Sequence, residues 1–469
     1  MGRGSILRAA TFGLLSALLA AGLLPQAVTA RPGSSKSFAL DYTVTATGSL
    51  DATLRTLDLS TQLTITTPEG GLSSLLLGVV PRGFGAWTST GASVDGLPVE
   101  TAWVNTIGMD FDLSANPWEA GSVHEVVVDG VIDFAASTAT NARLRRVGTG
   151  TSLTLTAGDF LPLPVATARW PVYADPGNAA TARSISFTLN SATALPDTGV
   201  VLAGEQSTVS SGSSWTATIA PARSFAFALS PSFVTSTTSP FTLAGPDGSA
   251  QSVRVVAVGS SSAVRTTDRL VGTGAVKSLW SKFGPGPYTR YKIVRVPIKD
   301  AAHEFAGIVF VGSVLSFNTR TAVIRHELAH QWWYGLIDTD QNVDPWLDEG
   351  LAEWSAQRIA GATASSKAAS CTRKIDGPAY SSSSYYTSKF GANSYYQCVY
   401  LRAPNALFAL GSVMGGQSKL EACLKRYAQA NRFGAPGPVV LAQTIRDCNE
   451  RTLATLTKYL SAATVNATH

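Results

Sequence analysis

Two histidines and two glutamates, set at fixed intervals, are the residues of this chain best placed to do chemistry together. Residues 326–330 read His-Glu-Leu-Ala-His, and eighteen residues separate His330 from Glu349 in Trp346-Leu347-Asp348-Glu349-Gly350. Positions four apart on a helix share one face, so His326 and His330 can hold a single metal ion. A catalytic zinc takes three protein ligands, commonly two His and one Glu, and keeps a fourth position for water. His326, His330 and Glu349 supply that set, which implies one Zn2+ per chain. Glu327 is then left free as the general base towards the attacking water. The arrangement reads as that of a zinc hydrolase.

A bare His-Glu-x-x-His also arises by chance, as a polar cluster on a Glu-rich helix. Three features weigh against that here. The chain has only five His, and two of them lie in the pentapeptide. The flanks, 321–324 and 331–336, continue an apolar-rich helical pattern without Pro. Asp348-Glu349-Gly350 also opens a second helical run over 351–359, so that two helices can pack side by side and bring Glu349 to the histidines. Glu353, one turn on, can orient a ligand histidine or face solvent, and is not counted in the site. Trp332 and Trp333 read as core residues anchoring the first helix.

His-Glu-Leu-Ala-His-Gln-Trp-Trp (326–333) and Pro-Trp-Leu-Asp-Glu-Gly-Leu-Ala-Glu (345–353) together resemble the zinc signature of the aminopeptidase N family of gluzincin metallopeptidases. Weaker matches extend over most of the chain. Ala168-Arg169-Trp170-Pro171 with Asp175-Pro176 resembles a segment of that family's N-terminal β domain. Phe283–Tyr288 and Ile293–Pro297 resemble the helix end and strand before its active site. The resemblance implies a thermolysin-like zinc peptidase domain, and two further site residues. Val399-Tyr400-Leu401-Arg402 resembles the segment that carries the family's tyrosine, a donor to the oxyanion that peptide hydrolysis builds. Tyr400 takes that role by resemblance, with Tyr395 and Tyr396 close by in sequence. Ala301-Ala302-His303-Glu304-Phe305 stands where the family has Gly-x-Met-Glu-Asn, whose Glu holds a substrate's α-amino group. Only Glu304 remains, enough to grip an ammonium group by charge. Leu161-Pro162-Leu163-Pro164 stands where many members place a second polar or acidic amine contact.

At 469 residues the chain can build two or three domains, and 45% apolar with 14% charged residues is a globular composition. Arg3 and Arg8, an apolar run from Ala9 to Leu24, and Ala27-Val28-Thr29-Ala30 form the pattern of a secretory signal peptide cleaved after Ala30. The run is short for a retained membrane anchor, and no later run reaches spanning length. The expected mature chain is therefore exported, either secreted outside the cell or periplasmic, without stable membrane insertion. Removing Arg3 and Arg8 takes the formal charge from +5 to +3, because residues 1–30 hold no acid. With no Lys/Arg blocks either, nothing points to nucleic acid. The cysteines, at 371, 398, 423 and 448, make an even set that suggests disulfides in an exported chain. Three pairings are open. Cys371–Cys398, closing the Ser/Tyr-rich segment 376–396, and Cys423–Cys448, tying two helices, are favoured.

The pattern divides the chain into a β-rich front and a helical back, a multi-domain β + α architecture. Short alternating runs at 42–47, 62–66, 124–128, 184–188 and 214–219, separated by Gly, Pro, Asn and Asp, predict a sandwich or saddle-like β domain over 31–239. Ser/Thr stretches at 206–218 and 234–239 read as exposed edges and linkers. The catalytic domain is expected over 240–469. It holds strands at 254–258, 291–297 and 307–312 and a helix over 264–282 ending at Gly284. Further helices are expected at 350–360, 399–414, 417–430, 438–447 and 450–462. Two classes of function compete: a zinc peptidase acting on peptides, and a surface-binding β protein with a vestigial peptidase domain. The intact His326, Glu327, His330 and Glu349 favour the first. Within it, an aminopeptidase is favoured over an oligopeptidase or endopeptidase. The sequence leaves the oligomeric state open.

Overall fold

The computed structural model describes residues 40–104, 106–139, 143–165, 181–298, 302–339, 341, 344–365, 368–376 and 395–468. The signal segment 1–30, the Ala168–Pro171 and Asp175-Pro176 motifs, and most of the Ser/Tyr-rich segment lie outside the described residues.

Period-two burial builds the front half. Asp41–Leu50 turns Tyr42, Val44, Ala46 and Leu50 inward, and Thr56–Thr66 turns Leu57, Leu59, Leu63 and Ile65 inward. The two pair antiparallel, Val44 opposite Leu63, so both apolar sets fall on one face. They form the centre of an eight-stranded sheet. On one side lie Ser184–Ser191, parallel to the first strand, then Ser214–Ile219 and the edge strand Glu205–Ser210. On the other lie Val123–Asp133, Trp87–Val94 and Leu97–Pro98. Two four-stranded sheets complete the domain. The Ser/Thr stretch at 205–210 is an exposed edge, as expected, whereas Ser214–Ile219 buries Trp215 completely. The other stretch, Val234–Thr237, is also an edge strand, paired with the last four residues of Ala250–Gly259.

The back half holds a six-stranded sheet covered by helices. A short turn, α1 (Val80–Gly83), belongs to the front half, and α2 (Ser262–Phe283) crosses from Ala250–Gly259 to the parallel strand Arg290–Val296. It ends where expected, at Gly284, whose φ of +86° suits a residue without a side chain. Ile308–Gly312 adds a third parallel strand, and Ala302–Phe305 pairs antiparallel to it at the edge. Then come α3 (Phe317–Trp333), α4 (Glu349–Ile359), α5 (Ala403–Val413), α6 (Gln417–Ala430), α7 (Pro438–Cys448), α8 (Leu453–Tyr459) and α9 (Ala462–Asn466).

Two helical expectations are corrected. The start of the helix expected over 399–414 is a π-helical turn, Tyr396–Arg402, which passes directly into α5. The helix expected over 450–462 opens as a 3-10 turn and breaks at Leu460, because Ser461 caps a new helix by accepting from the Thr464 amide. Both favoured disulfides, Cys371–Cys398 and Cys423–Cys448, are formed.

One continuous cluster of buried apolar residues runs through both halves. Arg223 leaves the β domain to lie buried against Asp338, 2.5 Å away, with its guanidinium 4.7 Å over the Tyr334 ring. Ser224 Oγ accepts from the Ala306 amide at 3.0 Å, so the β domain grips the edge strand that carries Glu304. Among the described residues no helix is long and apolar enough to cross a membrane.

Candidate active site

Helix α3 is held rigidly before any ligand is considered. Ser316 caps it through the Thr319 amide, and eleven of its residues are buried. Trp332 Nε1 donates to the Gly284 carbonyl at 3.0 Å, and Trp333 Nε1 donates to Ser355 Oγ on α4 at 2.8 Å. Gln331, between His330 and these tryptophans, is fully buried. Its amide donates to the Phe305 carbonyl at 3.1 Å and accepts from the Gly307 amide at 2.9 Å. One side chain therefore fixes the Glu304 strand to the helix of the two histidines.

The ligand atoms converge. His326 Nε2 and His330 Nε2 lie 3.0 Å apart, and Glu349 Oε2 lies 3.1 Å from the first and 3.3 Å from the second. Tetrahedral zinc with bonds of about 2.0–2.1 Å spaces its ligand atoms by roughly 3.3 Å. Two imidazoles and one carboxylate at this spacing fit the ion, and Glu327 Oε2, buried with no hydrogen-bond partner among the described residues, points to a missing polar neighbour.

The outer nitrogens of the histidines are also engaged. His330 Nδ1 lies 2.5 Å from Asp348 Oδ1, and His326 Nδ1 lies 3.1 Å from Glu353 Oε2. Each is thus oriented to present Nε2, as metal-binding histidines require. Sequence reasoning leaves Glu353 uncounted and does not single out Asp348 at all. The only signal for Asp348 is its place beside Glu349 in a run of polar residues opening a helix. Gln341 also donates its amide to Asp348.

Glu304 joins this group. Its carboxylate, one from Glu327 and a nitrogen of His330 all lie within 4.8 Å of one another. Tyr400 stacks on His326, with ring centroids 5.9 Å apart at 22°, and its hydroxyl hydrogen-bonds the Glu349 carboxylate. Tyr395 and Tyr396 pack on Tyr400 itself, at 6.0 and 5.8 Å. Every site residue named from sequence therefore sits in one cluster.

Charges here shift one another. Burial pulls the His326 imidazole down, but the hydrogen bonds it donates to Glu349 and Glu353 overcome that and push it up to about 10. Burial likewise opposes protonation of His330, yet the charges of Asp348, Glu304 and Glu349 hold it well above its ordinary value. Burial would raise Glu349, but His330 and the two imidazole hydrogen bonds hold it well below the usual carboxylate range. Glu327 moves the other way, to about 8, because burial outweighs the attraction of His326 and Glu304 repels it. The cluster favours positive charge between its acids, as a cation site must.

Comparison with known proteins agrees with this geometry. Residues 311–459 match the model of the peptidase family M1 domain. No curated protein matches the chain. Among solved structures, the M1 zinc metallopeptidase from Deinococcus radiodurans superposes with a TM-score of 0.64 at 17% identity, covering 90% of this chain and 93% of that one. A mutant of that enzyme bound to a Tyr-Ser-Ala substrate gives 0.61 at 16% identity, with the same coverage. Legionella pneumophila aminopeptidase A in complex with aspartic acid gives 0.63 at 11% identity, covering 91% of this chain but 50% of that one. From the matched domain, the two-domain fold and a donor set fit for zinc, residues 311–459 form a peptidase family M1 domain, the catalytic domain of a zinc metallopeptidase.

Proposed function

We propose that this chain is an exported aminopeptidase that removes N-terminal residues from peptides, with a β domain over 31–239 and a catalytic domain over 240–469. The observation that carries the reading is the Glu304 carboxylate beside Glu327 and His330. An acid at that distance from the general base accepts hydrogen bonds from a substrate's α-ammonium group and sets the first peptide bond over the base. The tripeptide bound to the Deinococcus relative belongs to the substrate class proposed. Export rests on the signal pattern ending at Ala30.

His326, His330 and Glu349 would hold the ion, with Asp348 and Glu353 orienting the histidines. Zinc, when bound, acts as a Lewis acid that polarises the scissile carbonyl and makes water nucleophilic near neutral pH. Glu327 takes the proton from the attacking water and returns it to the leaving amine. Burial raises its carboxyl above the ordinary glutamate range, so it holds an accepted proton more readily than an exposed glutamate does. The Tyr400 hydroxyl, beside Glu349, donates to the developing oxyanion. Tyr400 is held well above the ordinary tyrosine range, chiefly by burial, so it stays protonated for that task.

One observation favours a second reading, an oligopeptidase or endopeptidase. Leu161, Pro162, Leu163 and Pro164 are buried apolar residues where a second amine contact would stand. Chelator-sensitive cleavage of free-amino against N-acetylated peptides by the purified mature protein decides between them. Preference for the free amine supports the aminopeptidase, and equal rates support the endopeptidase.

A further inference from the structure

Tyr400 does not sit on an ordinary helix. It lies within the π-helical turn Tyr396–Arg402, whose wider winding sets its side chains at angles that the following helix α5 does not continue. Such turns are uncommon and need outside support, and here the support comes from one short segment, 370–376. The Cys371–Cys398 disulfide joins that segment to the turn two residues before Tyr400. Ser370 donates its amide to Gln397 Oε1 at 2.9 Å on the same side. Two residues after Tyr400, Arg402 donates from Nε to the Arg373 carbonyl at 2.6 Å and from Nη1 to the Cys371 carbonyl at 3.1 Å. The tyrosine is bracketed from both sides by one strap.

The far end of the strap is anchored as firmly. Ile375 donates its amide to the Tyr459 carbonyl at 2.9 Å. Asp376, fully buried, accepts from the Ser461 amide at 2.6 Å, from Ser461 Oγ at 3.0 Å and from Thr464 Oγ1. Cys371, Tyr395, Cys398 and Val399 form their own buried apolar cluster, separate from the main core, and Tyr400 packs on it. On the opposite side Gly350, next to the ligand Glu349, lets α5 close on α4, since a methyl there would lie 2.7 Å from Ala403 Cβ.

We propose that the Cys371–Cys398 disulfide is a positioning device for catalysis, which fixes the π-helical turn so that the Tyr400 hydroxyl stays over the Glu349 carboxylate and the His326 ring. The inference rests on the reading of Tyr400 as oxyanion donor. The hydrogen bonds of the strap to Gln397 and Arg402 are largely exposed, so water competes for them and each holds the turn only weakly. The disulfide is the one covalent link in the bracket. A donor displaced by about 1 Å loses on the order of a hundredfold in rate, so loosening this turn acts on catalysis before it acts on substrate binding.

A double-mutant cycle tests this. Zinc content, kcat and KM on a free-amino peptide are measured for wild type, C371S/C398S, Y400F and the triple variant. C423S/C448S, which opens the bond between α6 and α7, is the control. The expected result is that C371S/C398S keeps its zinc and loses roughly ten- to a hundredfold in kcat with KM nearly unchanged. It costs nothing further once Tyr400 is phenylalanine, and the control keeps the wild-type kcat. Arg402→Gln, which cuts two hydrogen bonds of the strap and spares the disulfide, lowers kcat in the same non-additive way and serves if the cysteine variant does not fold. Losses that multiply in the triple variant, or an unchanged kcat in C371S/C398S while Y400F is impaired, would overturn the proposal. An unchanged kcat in Y400F alone would overturn the reading of Tyr400 beneath it.

Discussion

Asp348 Oδ1 accepts a hydrogen bond from His330 Nδ1 across 2.5 Å, and neither side chain is reached by solvent. Burial alone would push the Asp348 carboxyl up, and the His330 charge opposes that, so each is the other's main counter-charge. The pair fixes the imidazole's tautomer and its rotation, and thereby aims Nε2 at His326 Nε2 and the Glu349 carboxylate. Glu353 does the same for His326 from one turn further along α4.

Asp348→Asn should therefore weaken zinc binding by about ten- to a hundredfold while the fold persists. Competition with a metal-binding dye reads this directly. An affinity equal to wild type would show that His330 needs no help from its neighbour.

Glu304→Ala tests the amine contact. A charged hydrogen bond contributes about 1.5–3 kcal/mol, so free-amino peptides should be cut at least about tenfold faster than acetylated ones by the wild type. The variant should cut both at similar rates. Retention of the preference in Glu304→Ala would assign the ammonium group to another acid.

The candidate metal-binding pair was legible because a helix repeats every 3.6 residues, and a four-residue spacing already places His326 and His330 on one face. The end of α2 was legible because Gly284 takes a conformation that other residues resist. Asp348 was not, because adjacent carboxylates on a helix start point different ways, and only the packing of α4 on α3 decides which one meets His330. The π-helical turn was hidden for a related reason. Its sequence, Tyr396–Arg402, has the same apolar content as an α-helix, and the strap that widens it comes from residues more than twenty positions away. Nothing in the sequence around Arg223 marks it, because its partner Asp338 lies in the other half of the chain.

Arg223→Ala should be strongly destabilising, by about 3–5 kcal/mol, because it leaves Asp338 buried without its counter-charge. Urea unfolding measures this, and Arg223→Ala with Asp338→Ala should recover part of the loss. A single variant as stable as wild type would mean that water reaches the pair.

Lys292 gives a pH signature. It is buried at the domain contact with its ammonium donating to the Leu202 carbonyl, and burial, with Arg290 nearby, pushes it down to about 7. The unfolded chain binds that proton up to about pH 10.5, so it holds more protons than the folded state between about pH 7 and 10.5. This group therefore makes stability rise with pH across that window and leaves it flat below. Lys292→Met should remove the rise, so its stability relative to wild type should be higher at pH 7 than at pH 10, by on the order of a few kcal/mol. A difference that does not change with pH would place the proton on Lys292 throughout.

The most direct test of the whole account is zinc content and peptide hydrolysis measured together on Glu327→Gln. The side chain keeps its shape and leaves His326, His330 and Glu349 untouched, so the variant should hold about one zinc per chain. Hydrolysis should fall by roughly two to four orders of magnitude, because the base that takes the proton is gone. A variant that cleaves within a few-fold of wild type, or one that loses its zinc along with its activity, would contradict it.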